Sequence, residues 1–301
     1  MTTTIEETTA TTAKKRTTKK CTTKKAVIAR SPFKIPGGKT GLLPELRDRV
    51  PSSFDRYFEP FLGGGALFWD LAARGLLQPG KVVLSDWNAM VTRTFRVLRD
   101  DVDALCDRLR SMPMTKDHFL AIRSVTPVER NGMSDVELAA WFLYLNRTAV
   151  NGIFRVNRAG VFNVPWAGYP NPRVLHEELF RACSATLRSL KVEIHRRSFE
   201  SILDHARKGD LVYADPPYLP LSKTSNFTAY TRDGFGYDAH VQLRDVSREL
   251  KKRGVSVVIS NADAPVVRDL YEGFTIDVVH ARRSVNTKGD GRAPVQELII
   301  R

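Results

Sequence analysis

Residues 54–65 read Phe-Asp-Arg-Tyr-Phe-Glu-Pro-Phe-Leu-Gly-Gly-Gly, an apolar segment that runs directly into three consecutive glycines. The apolar part predicts a buried strand, and residues 66–74 continue with a helical pattern. Glycines at a strand-to-helix junction let the backbone approach a ligand closely, and the first helical turn offers free N–H groups. A strand over 81–85 and a helix over 88–100 repeat the alternation. This order predicts an α/β fold with a parallel sheet.

The alternation stops after residue 100 and resumes near residue 186. Residues 101–185 show polar helical stretches and a turn-rich segment, which we interpret as a mainly helical insertion. Residues 31–100 and 186–301 would then form one catalytic domain around it. The elements predicted beyond residue 100 are helices over 101–110 and 134–146, strands over 191–195, 210–214 and 255–260, helices over 199–208, 238–252 and 264–271, and an antiparallel strand pair over 274–280 and 295–300.

The charge of the chain is strongly positive and unevenly distributed. The formal net charge is +14, and residues 1–30 hold eight cations and two anions, so they carry +6 and residues 31–301 carry +8. A surplus of this size favours a polyanionic partner such as a nucleic acid. We expect residues 1–30 to be a disordered basic tail, either simply solvated or a nonspecific tether to nucleic acid.

The remaining composition narrows the class of protein. Apolar residues make up 42% of 301 residues, which is enough for a sizeable core. The sequence shows neither an uncharged apolar run of membrane-spanning length nor a secretory signal, and its three cysteines, Cys21, Cys106 and Cys183, lie far apart. We expect a cytoplasmic protein with reduced thiols.

A second motif, Asp215-Pro216-Pro217-Tyr218, follows the predicted apolar strand at 210–214. Two consecutive prolines stiffen a loop and remove two N–H donors, so the carbonyls and the Asp215 carboxylate form a group of pure acceptors. Such a group suits a planar exocyclic amine, which has two N–H donors, and Tyr218 offers a flat face for a base. The alternative is a rigid turn with an ordinary surface carboxylate.

Asp86 closes the second predicted strand, which follows the glycines at 63–65 and the helix after them. A carboxylate at this place can accept hydrogen bonds from both ribose hydroxyls of an adenosine-containing cofactor. The chain has no G-x-G-x-x-G fingerprint and no phosphate-binding P-loop, which disfavours nicotinamide, flavin and nucleoside triphosphate binding. The glycine-rich turn together with Asp86 therefore predicts a nucleoside cofactor.

These motifs together resemble the Dam-type DNA adenine-N6 methyltransferases, the D12 class with the alpha motif order. The resemblance extends over about residues 31–301, with the motifs in the order of the family. The matching segments are residues 33–39, 59–65, 144–147, 151–157, 160–165, 215–218, 226–230, 260–263 and 281–284.

The resemblance implies a Rossmann-like methyltransferase sheet that carries an inserted target-recognition domain. It implies S-adenosylmethionine as methyl donor, double-stranded DNA as substrate and no metal. The implied catalytic residues are Asp215, Pro216, Pro217 and Tyr218. The implied cofactor-binding residues are Ile35, Lys39, Glu59, Pro60, Phe61, Gly63, Gly65, Asp86 and Asp215. The implied DNA-binding residues are Lys34, Asn151, Arg155, Asn157, Pro165, Asn226, Tyr230 and Arg282.

The mechanism implied is direct transfer to a flipped adenine. The target amine is hidden inside the duplex, so the base has to leave the stack, and Tyr218 is expected to stack on it. Arg155 matches the arginine with which the family reads guanine, and Lys34 matches a base-contacting lysine, which together imply a GATC-like site. The chain departs from the family at Ile35, where a Trp is usual, at Pro36, where an Ala is usual, and at Thr148-Ala149-Val150, where Tyr-Gly-Tyr is usual.

Several alternatives stay open on the sequence. An N4-cytosine methyltransferase would use the same acceptors, although Asp215 as first motif residue and residues 162–165 favour adenine. An enzyme that methylates a protein glutamine or an RNA base is disfavoured by Lys34 and Arg155. A DNA-binding module with a decayed catalytic core is disfavoured by the complete motif at 215–218. A restriction endonuclease acting on the same site is a candidate partner, and the nucleoid is the expected location.

Overall fold

The structure is a computed structural model that describes residues 1, 27–35, 37–219, 235–281 and 295–301. Within these ranges seven strands form one sheet. They are β1 (Tyr57–Glu59), β2 (Val82–Asp86), β3 (Glu193–Arg196), β4 (Leu211–Ala214), β5 (Ser256–Ala262), β6 (Ile276–Ala281) and β7 (Val295–Ile300). Most of the predicted basic tail lies outside the described residues.

The strand order is β3-β2-β1-β4-β5-β7-β6. The first five are mutually parallel, and β7 runs antiparallel to both β5 and β6, so the predicted parallel sheet and the predicted closing pair are both confirmed. The chain builds outward from β1 to β2 and β3 and then returns to place β4 on the other side of β1. The order therefore reverses between β1 and β4, and in open α/β sheets ligands bind at the carboxyl ends of the strands beside such a reversal.

Helices cover the sheet and extend beyond it. They are α1 (Leu43–Arg47), α2 (Ala66–Ala73), α3 (Ala89–Asp100), α4 (Val102–Arg110), α5 (Lys116–Arg123), α6 (Pro127–Gly132), α7 (Asp135–Thr148), α8 (Glu177–Ser189), α9 (Tyr237–Lys252) and α10 (Pro265–Leu270). Short 3-10 helices are found at Lys39–Leu42, Val150–Gly152 and Phe199–Asp204. None of the helices in the described ranges is long and apolar enough to cross a membrane.

The helical part between α3 and β3 packs on the rest of the chain. Helices α4 and α7 correspond to the two helical stretches predicted there, whereas the short α5 and α6 and the amphipathic α8 are not predicted. Helix α8 lies against α3, where the Ser184 hydroxyl donates to the Arg99 carbonyl at 3.4 Å. The predicted domain boundary at 185/186 falls inside α8, and the boundaries stay a prediction.

The helix predicted over 199–208 is present as a 3-10 helix, Phe199–Asp204, which ends four residues before the predicted limit. The chain has to turn before β4, and Asp210 stabilises this turn by accepting the Arg207 N–H at 2.8 Å. The same carboxylate forms an ion pair with Arg56 at 2.6 Å, so the turn is anchored to the chain just before β1.

The core has two parts, one on each face of the sheet. Successive strand residues point to opposite faces, so Tyr57 belongs to one part and Phe58 to the other. The larger part joins the sheet to α2, α3, α4, α7 and α8, with Phe95 and Trp141 among its buried rings. The smaller part packs the 3-10 helix Phe199–Asp204, α9 and α10 against the opposite face. Because the sheet is buried on both faces, its strand ends are the accessible edge.

Candidate active site

Acidic side chains gather at the carboxyl edge of the central strands. Glu59 is the last residue of β1, Asp86 is the last of β2, and Asp215 directly follows β4. These strands are parallel and adjacent, so their carboxyl ends meet at one edge. The edge is the one at which the order of the sheet reverses, which makes it the candidate active site.

The glycine loop (residues 59–65) joins β1 to α2 and is tied to the end of β2. The Leu62 N–H donates to the Ser85 carbonyl at 3.0 Å, and the Gly63 N–H donates to Asp86 Oδ2 at 2.9 Å. Gly63 and Gly65 have φ values of +47° and +65°, a region that side-chain-bearing residues rarely adopt. The Ile35 side chain lies beside this loop, with its Cδ1 3.5 Å from where a Cβ on Gly63 would stand.

Asp86 is held by backbone donors and keeps acceptor capacity. Its Oδ1 accepts the Asn88 N–H at 2.8 Å and its Oδ2 accepts the Gly63 N–H. Burial raises the pKa of Asp86 to about 6, while these two N–H groups oppose the rise, so the carboxylate is mostly ionised at neutral pH. Two carboxylate oxygens together have about four acceptor sites, which leaves room for further donors.

Trp87, the next residue, has a side chain that sequence reasoning missed. The residue is 55% exposed, and the Arg196 guanidinium lies 5.5 Å from the centroid of its ring. The Arg196 Nε also donates to the Trp87 carbonyl at 3.2 Å. The site therefore presents an accessible aromatic plane directly after Asp86.

Glu59 is buried below the edge and shares a proton network with Tyr57. The Tyr57 hydroxyl donates to Glu59 Oε2 at 2.7 Å. Burial raises the pKa of Glu59 to about 8, the Tyr57 hydrogen bond opposes this, and the nearby charge of Asp215 adds to it. Glu59 is accordingly mostly protonated at neutral pH, and it stabilises the site as a neutral group.

Asp215 is engaged through one of its two carboxylate oxygens. Oδ1 accepts the Ser260 hydroxyl at 2.6 Å and lies 3.1 Å from Lys39 Nζ. Tyr213 contacts the same serine, with 3.1 Å between the two hydroxyl oxygens. Burial raises the pKa of Asp215, and Lys39 and Ser260 counteract that rise. Among the described residues, no donor is hydrogen-bonded to Oδ2 or to the Pro216 carbonyl.

Lys39 joins the N-terminal segment to the catalytic motif. Its side chain is 6% exposed; Nζ donates to the Gly37 carbonyl at 2.7 Å and lies 4.4 Å from the centroid of the Tyr218 ring. The Tyr218 hydroxyl donates to Glu297 Oε2 at 2.7 Å, and this oxygen is 3.9 Å from Lys39 Nζ. Glu297 on β7 was missed in the sequence because it is 79 residues from Tyr218 and stands in an otherwise ordinary strand.

The predicted DNA-binding residues lie on a different set of loops. The Lys34 backbone pairs with the Asn146 side chain in both directions, at 2.9 and 2.8 Å, which docks residues 31–35 on the end of α7. The Lys34 side chain is exposed. Asn146 also donates to the Gly152 carbonyl at 2.9 Å, so it fixes the loop after α7 beside Lys34.

A tight turn between Val156 and Phe162 presents Arg155 and Asn157. The two flanking residues form an isolated antiparallel bridge, and the Asn157 side chain accepts the Val161 N–H at 3.0 Å. Arg155 is exposed, and its Nε donates to Asn163 Oδ1 at 2.8 Å. The turn thus holds Arg155 in one orientation while its terminal nitrogens stay accessible.

A neighbouring turn carries Val150 and Asn151. Asn151 has a left-handed backbone with φ of 57°, and Val150 is 37% exposed. The Val150 N–H donates to the carbonyl of Pro165, which is itself exposed. Asn226, Tyr230 and Arg282 lie outside the described residues. Their predicted contacts, like the roles of all the other site residues, stay predictions.

Comparison with known proteins gives consistent matches over nearly the whole chain. A family model described as D12 class N6 adenine-specific DNA methyltransferase matches residues 36–285. The chain is 38% identical to the Type II methyltransferase M1.LlaDCHI of Lactococcus lactis subsp. cremoris, over 89% of this chain and 94% of that protein. It is 35% identical to the Type II methyltransferase M.MjaIII of Methanocaldococcus jannaschii, over 89% and 98% respectively. It is 32% identical to a DNA adenine methylase of Vibrio cholerae, over 90% and 95%.

Proposed function

Since the chain belongs to the D12 class of N6 adenine-specific DNA methyltransferases, we propose that it transfers a methyl group from S-adenosylmethionine to adenine N6 in duplex DNA. We further propose that the site is GATC-like, that the target base is flipped out, and that transfer is direct. Adenine-specific DNA methylation is the activity of the family. The methyl donor, the recognition sequence in DNA and the mechanism of transfer are what we propose for this chain.

The proposed mechanism rests on one observation: after β4, some hydrogen-bond acceptors are bonded to protein donors and others are not. Asp215 Oδ1 is occupied by Ser260 and Lys39, whereas Oδ2 and the Pro216 carbonyl have no donor among the described residues. A primary amine on a base has two N–H groups, so it needs two acceptors. The two free acceptors belong to consecutive residues of a stiff loop, which suits one planar amine.

These acceptors prepare the amine for reaction. The lone pair of adenine N6 is delocalised into the ring, so the amine is a poor nucleophile. When Asp215 Oδ2 and the Pro216 carbonyl accept its two N–H groups, they favour a geometry in which the lone pair points away from the loop. The protein thereby contributes orientation and a preorganised negative field, and no covalent intermediate with the enzyme is required. As N6 gains the methyl group it gives up one of its two protons, which Asp215 Oδ2 is placed to accept.

The carboxyl edge fits the proposed donor. When bound, S-adenosylmethionine supplies a methyl group on a positively charged sulfur. Asp86 has unused acceptor sites for the ribose hydroxyls, and the exposed Trp87 ring offers a stacking plane for the adenine ring of the donor. This plane compensates for Ile35, which can contact the donor only as an aliphatic wall. We assign Lys39, Glu59, Pro60, Phe61, Gly63 and Gly65 to the same donor site.

The exposed loops fit a duplex. Arg155 has a side chain oriented by Asn163 and terminal nitrogens that hydrogen-bond to none of the described residues, which is the geometry needed to contact guanine O6 and N7 in the major groove. Lys34 lies beside the loop after α7 and is exposed, and Asn151, Asn157 and Pro165 stand on the same group of turns. Val150 takes the place of an aromatic wedge, and an apolar side chain can still separate base steps.

The biological setting follows from the substrate. Two of the relatives carry the name Type II methyltransferase, so we propose a restriction endonuclease of the same specificity as a partner, and cytoplasmic DNA in the nucleoid as the place of action. A protein that acts alone would methylate the same sites without such a partner.

Sequencing that detects modified bases tests the proposal directly. The full chain is expressed in a host without DNA methylation, alongside the Asp215→Ala variant, and its genomic DNA is sequenced. We expect N6-methyladenine at one short recognition site in DNA from cells with the wild-type chain and none with the variant. N4-methylcytosine, or modified bases without a common site, would contradict the proposal.

A further inference from the structure

The DPPY loop (residues 215–218) has few free backbone torsions. The proline rings fix φ of Pro216 and Pro217 at about −65°. Asp215 and Pro216 each precede a proline, which restricts their ψ to extended values. Between the Asp215 Cα and the Tyr218 nitrogen, the backbone torsion that neither effect restrains is ψ of Pro217, and it sets the direction of the Pro217 carbonyl and the start of Tyr218.

His240 contacts this one unrestrained carbonyl. It lies in the first turn of α9, its side chain is fully buried, and its Nε2 is 3.0 Å from the Pro217 carbonyl oxygen. A carbonyl can only accept, so the imidazole donates from Nε2–H and Nδ1 carries the lone pair. Nδ1 is buried and has no hydrogen-bond partner among the described residues, which is consistent with this neutral tautomer. Burial also lowers the pKa of His240 to about 4, so the neutral form predominates at neutral pH.

The ring of His240 is itself held in place by aromatic packing. It makes an edge contact with Phe235 at 4.7 Å between centroids. Phe235 in turn packs on Phe61 and Phe199, at 5.4 and 5.9 Å. Phe61 belongs to the glycine loop, so one cluster connects the donor-binding loop to the histidine that holds the DPPY loop.

We propose that His240 is a positioning residue for methyl transfer, whose Nε2–H fixes the Pro217 carbonyl and thereby sets the direction in which the chain continues to Tyr218 and the placement of the Tyr218 ring. This inference rests on the proposed function. It also explains which acceptors of the DPPY loop remain for the substrate. The Pro217 carbonyl already accepts from His240, so the Pro216 carbonyl and Asp215 Oδ2 are left for the amine. Tyr218 is then held at both ends, by His240 through the backbone and by Glu297 through the hydroxyl.

The test compares two nearly isosteric substitutions in the full chain. His240→Gln keeps an N–H donor of similar reach, whereas His240→Met fills the pocket without a donor. We expect the Met variant to lose on the order of 10²-fold in kcat, as small misplacements of reacting groups do. Its KM for S-adenosylmethionine and its Kd for DNA should stay unchanged, because His240 contacts neither. The Gln variant should keep most of the wild-type kcat.

The same two substitutions at His195 give the matched control. His195 lies half-exposed on β3 and contacts Glu193, so both variants there should behave like the wild-type enzyme. Product is measured as N6-methyladenine in an oligonucleotide that contains the recognition site, and folding is checked by thermal melting.

Every outcome of this comparison supports or overturns the proposal. A folded His240→Met enzyme with wild-type kcat, or a Gln variant as slow as the Met variant, overturns the positioning role. If the Met variant does not fold, His240→Leu replaces it, and a failure of both to fold assigns His240 to core stability and overturns the proposal as well. A wild-type chain that yields no N6-methyladenine overturns the proposed function itself, an outcome distinct from any difference between variants.

Discussion

At the residue scale, the site depends on how a few buried polar groups share protons and charge. Lys39 is nearly buried, yet it contacts Asp215, the Gly37 carbonyl and the Tyr218 ring. A buried charge is costly unless it is paired and hydrogen-bonded, so these contacts are what allow a charged Lys39 at this place. Burial and the charge of Asp215 raise the pKa of Glu59 and keep Glu59 mostly neutral. Asp215 itself is paired with Lys39, whose charge opposes the rise in the pKa of Asp215.

The first prediction concerns Asp215. Replacing it with Ala removes a free acceptor and leaves Lys39 without its nearest counterion, so we expect loss of methyl transfer with DNA binding largely retained. Ser260→Ala should reduce the rate of methyl transfer less than Asp215→Ala does, because Asp215 stays in place and still forms its ion pair with Lys39. Initial rates of N6-methyladenine formation and a DNA-binding titration measure the two properties. Asp245→Ala, at an exposed ion pair on α9, is the control, and an Asp215→Ala enzyme with a near wild-type rate would refute the mechanism.

The second prediction concerns the pH dependence of stability. The pKa of Glu59 is raised to about 8 in the folded chain, so between about pH 4.5 and pH 8 the folded state holds a proton that the unfolded state has lost. The free energy of unfolding should therefore fall as the pH rises through this window, by up to about 1.4 kcal/mol per pH unit for this group. A glutamine at this position cannot ionise, so in the Glu59→Gln protein the free energy of unfolding should fall less steeply as the pH rises.

Denaturant unfolding between pH 5 and pH 8 measures this slope. Glu272→Gln, on an exposed side chain, should leave it as in the wild-type protein. A Glu59→Gln protein with the wild-type slope would show that Glu59 is ionised in the folded state.

At the element scale, turns carry the surface that is proposed to read DNA. The turn between Val156 and Phe162 is closed by backbone and Asn157 hydrogen bonds, and the loop after α7 is fixed by Asn146. Both elements contact α7, the turn through the Phe162 and Trp141 rings and the loop through Asn146, and α7 is buried on all sides over residues 138–146. Rigid support of this kind orients Arg155 without burying it, which is what base recognition requires.

The third prediction concerns Arg155. Arg155→Ala should relax discrimination at one guanine of the recognition site by about 1–3 kcal/mol, because the variant cannot make a bidentate hydrogen bond to guanine. The measurement is kcat/KM on a panel of oligonucleotides in which each base of the site is changed in turn. Arg158→Ala in the same turn is the control, and it should leave the preference among the bases of the site unchanged. An unchanged preference profile in the Arg155 variant would show that another residue reads this base.

At the scale of the whole molecule, the sheet brings distant segments to one edge. The reversal of strand order between β1 and β4 places the glycine loop beside the DPPY loop, and β7, inserted antiparallel between β5 and β6, delivers Glu297 to Tyr218. Residues 31–35 pack at the end of α7 and Lys39 reaches the active site, so one short stretch of chain connects the proposed DNA surface with the catalytic motif. The positive charge of the chain is found both in residues 1–30, which carry +6, and in residues 31–301, which carry +8.

The fourth prediction concerns the basic N-terminal residues. Deleting residues 1–25 removes seven cations and two anions and should leave kcat unchanged, because the site residues begin at Lys34. If these cations bind DNA phosphates, the plot of log K against log salt should become flatter by up to about 0.9 for each phosphate that is no longer neutralised. An equal salt slope for the full and truncated chains would show that the cations of residues 1–25 do not bind DNA. A truncated chain that fails to fold would contradict the prediction that these residues are an accessory tail.

The sequence alone was sufficient for the fold class, the alternation of strands and helices in the parallel part, the family and the acidic strand ends. These features are encoded locally: periodicity, glycines at the turn after β1, and the two prolines at 216 and 217 act over short stretches of chain. The helix predicted over 199–208 is shorter and of the 3-10 type, because Asp210 stabilises a turn at Arg207 and pairs with the distant Arg56, an interaction that periodicity does not report.

The tertiary structure decided which polar groups meet. Glu297 and His240 occur in segments that read as an ordinary strand and an ordinary helix, and they became site residues only because the sheet and α9 bring them to the DPPY loop. Ser260 lies in a segment that resembles the family, but its hydrogen bond to Asp215 is visible only in the tertiary structure. The division of acceptors into occupied and free ones is also a tertiary property. It depends on donors such as Lys39 and His240, which are distant from the loop along the chain, and hydrogen bonds act over ångströms whatever that separation is.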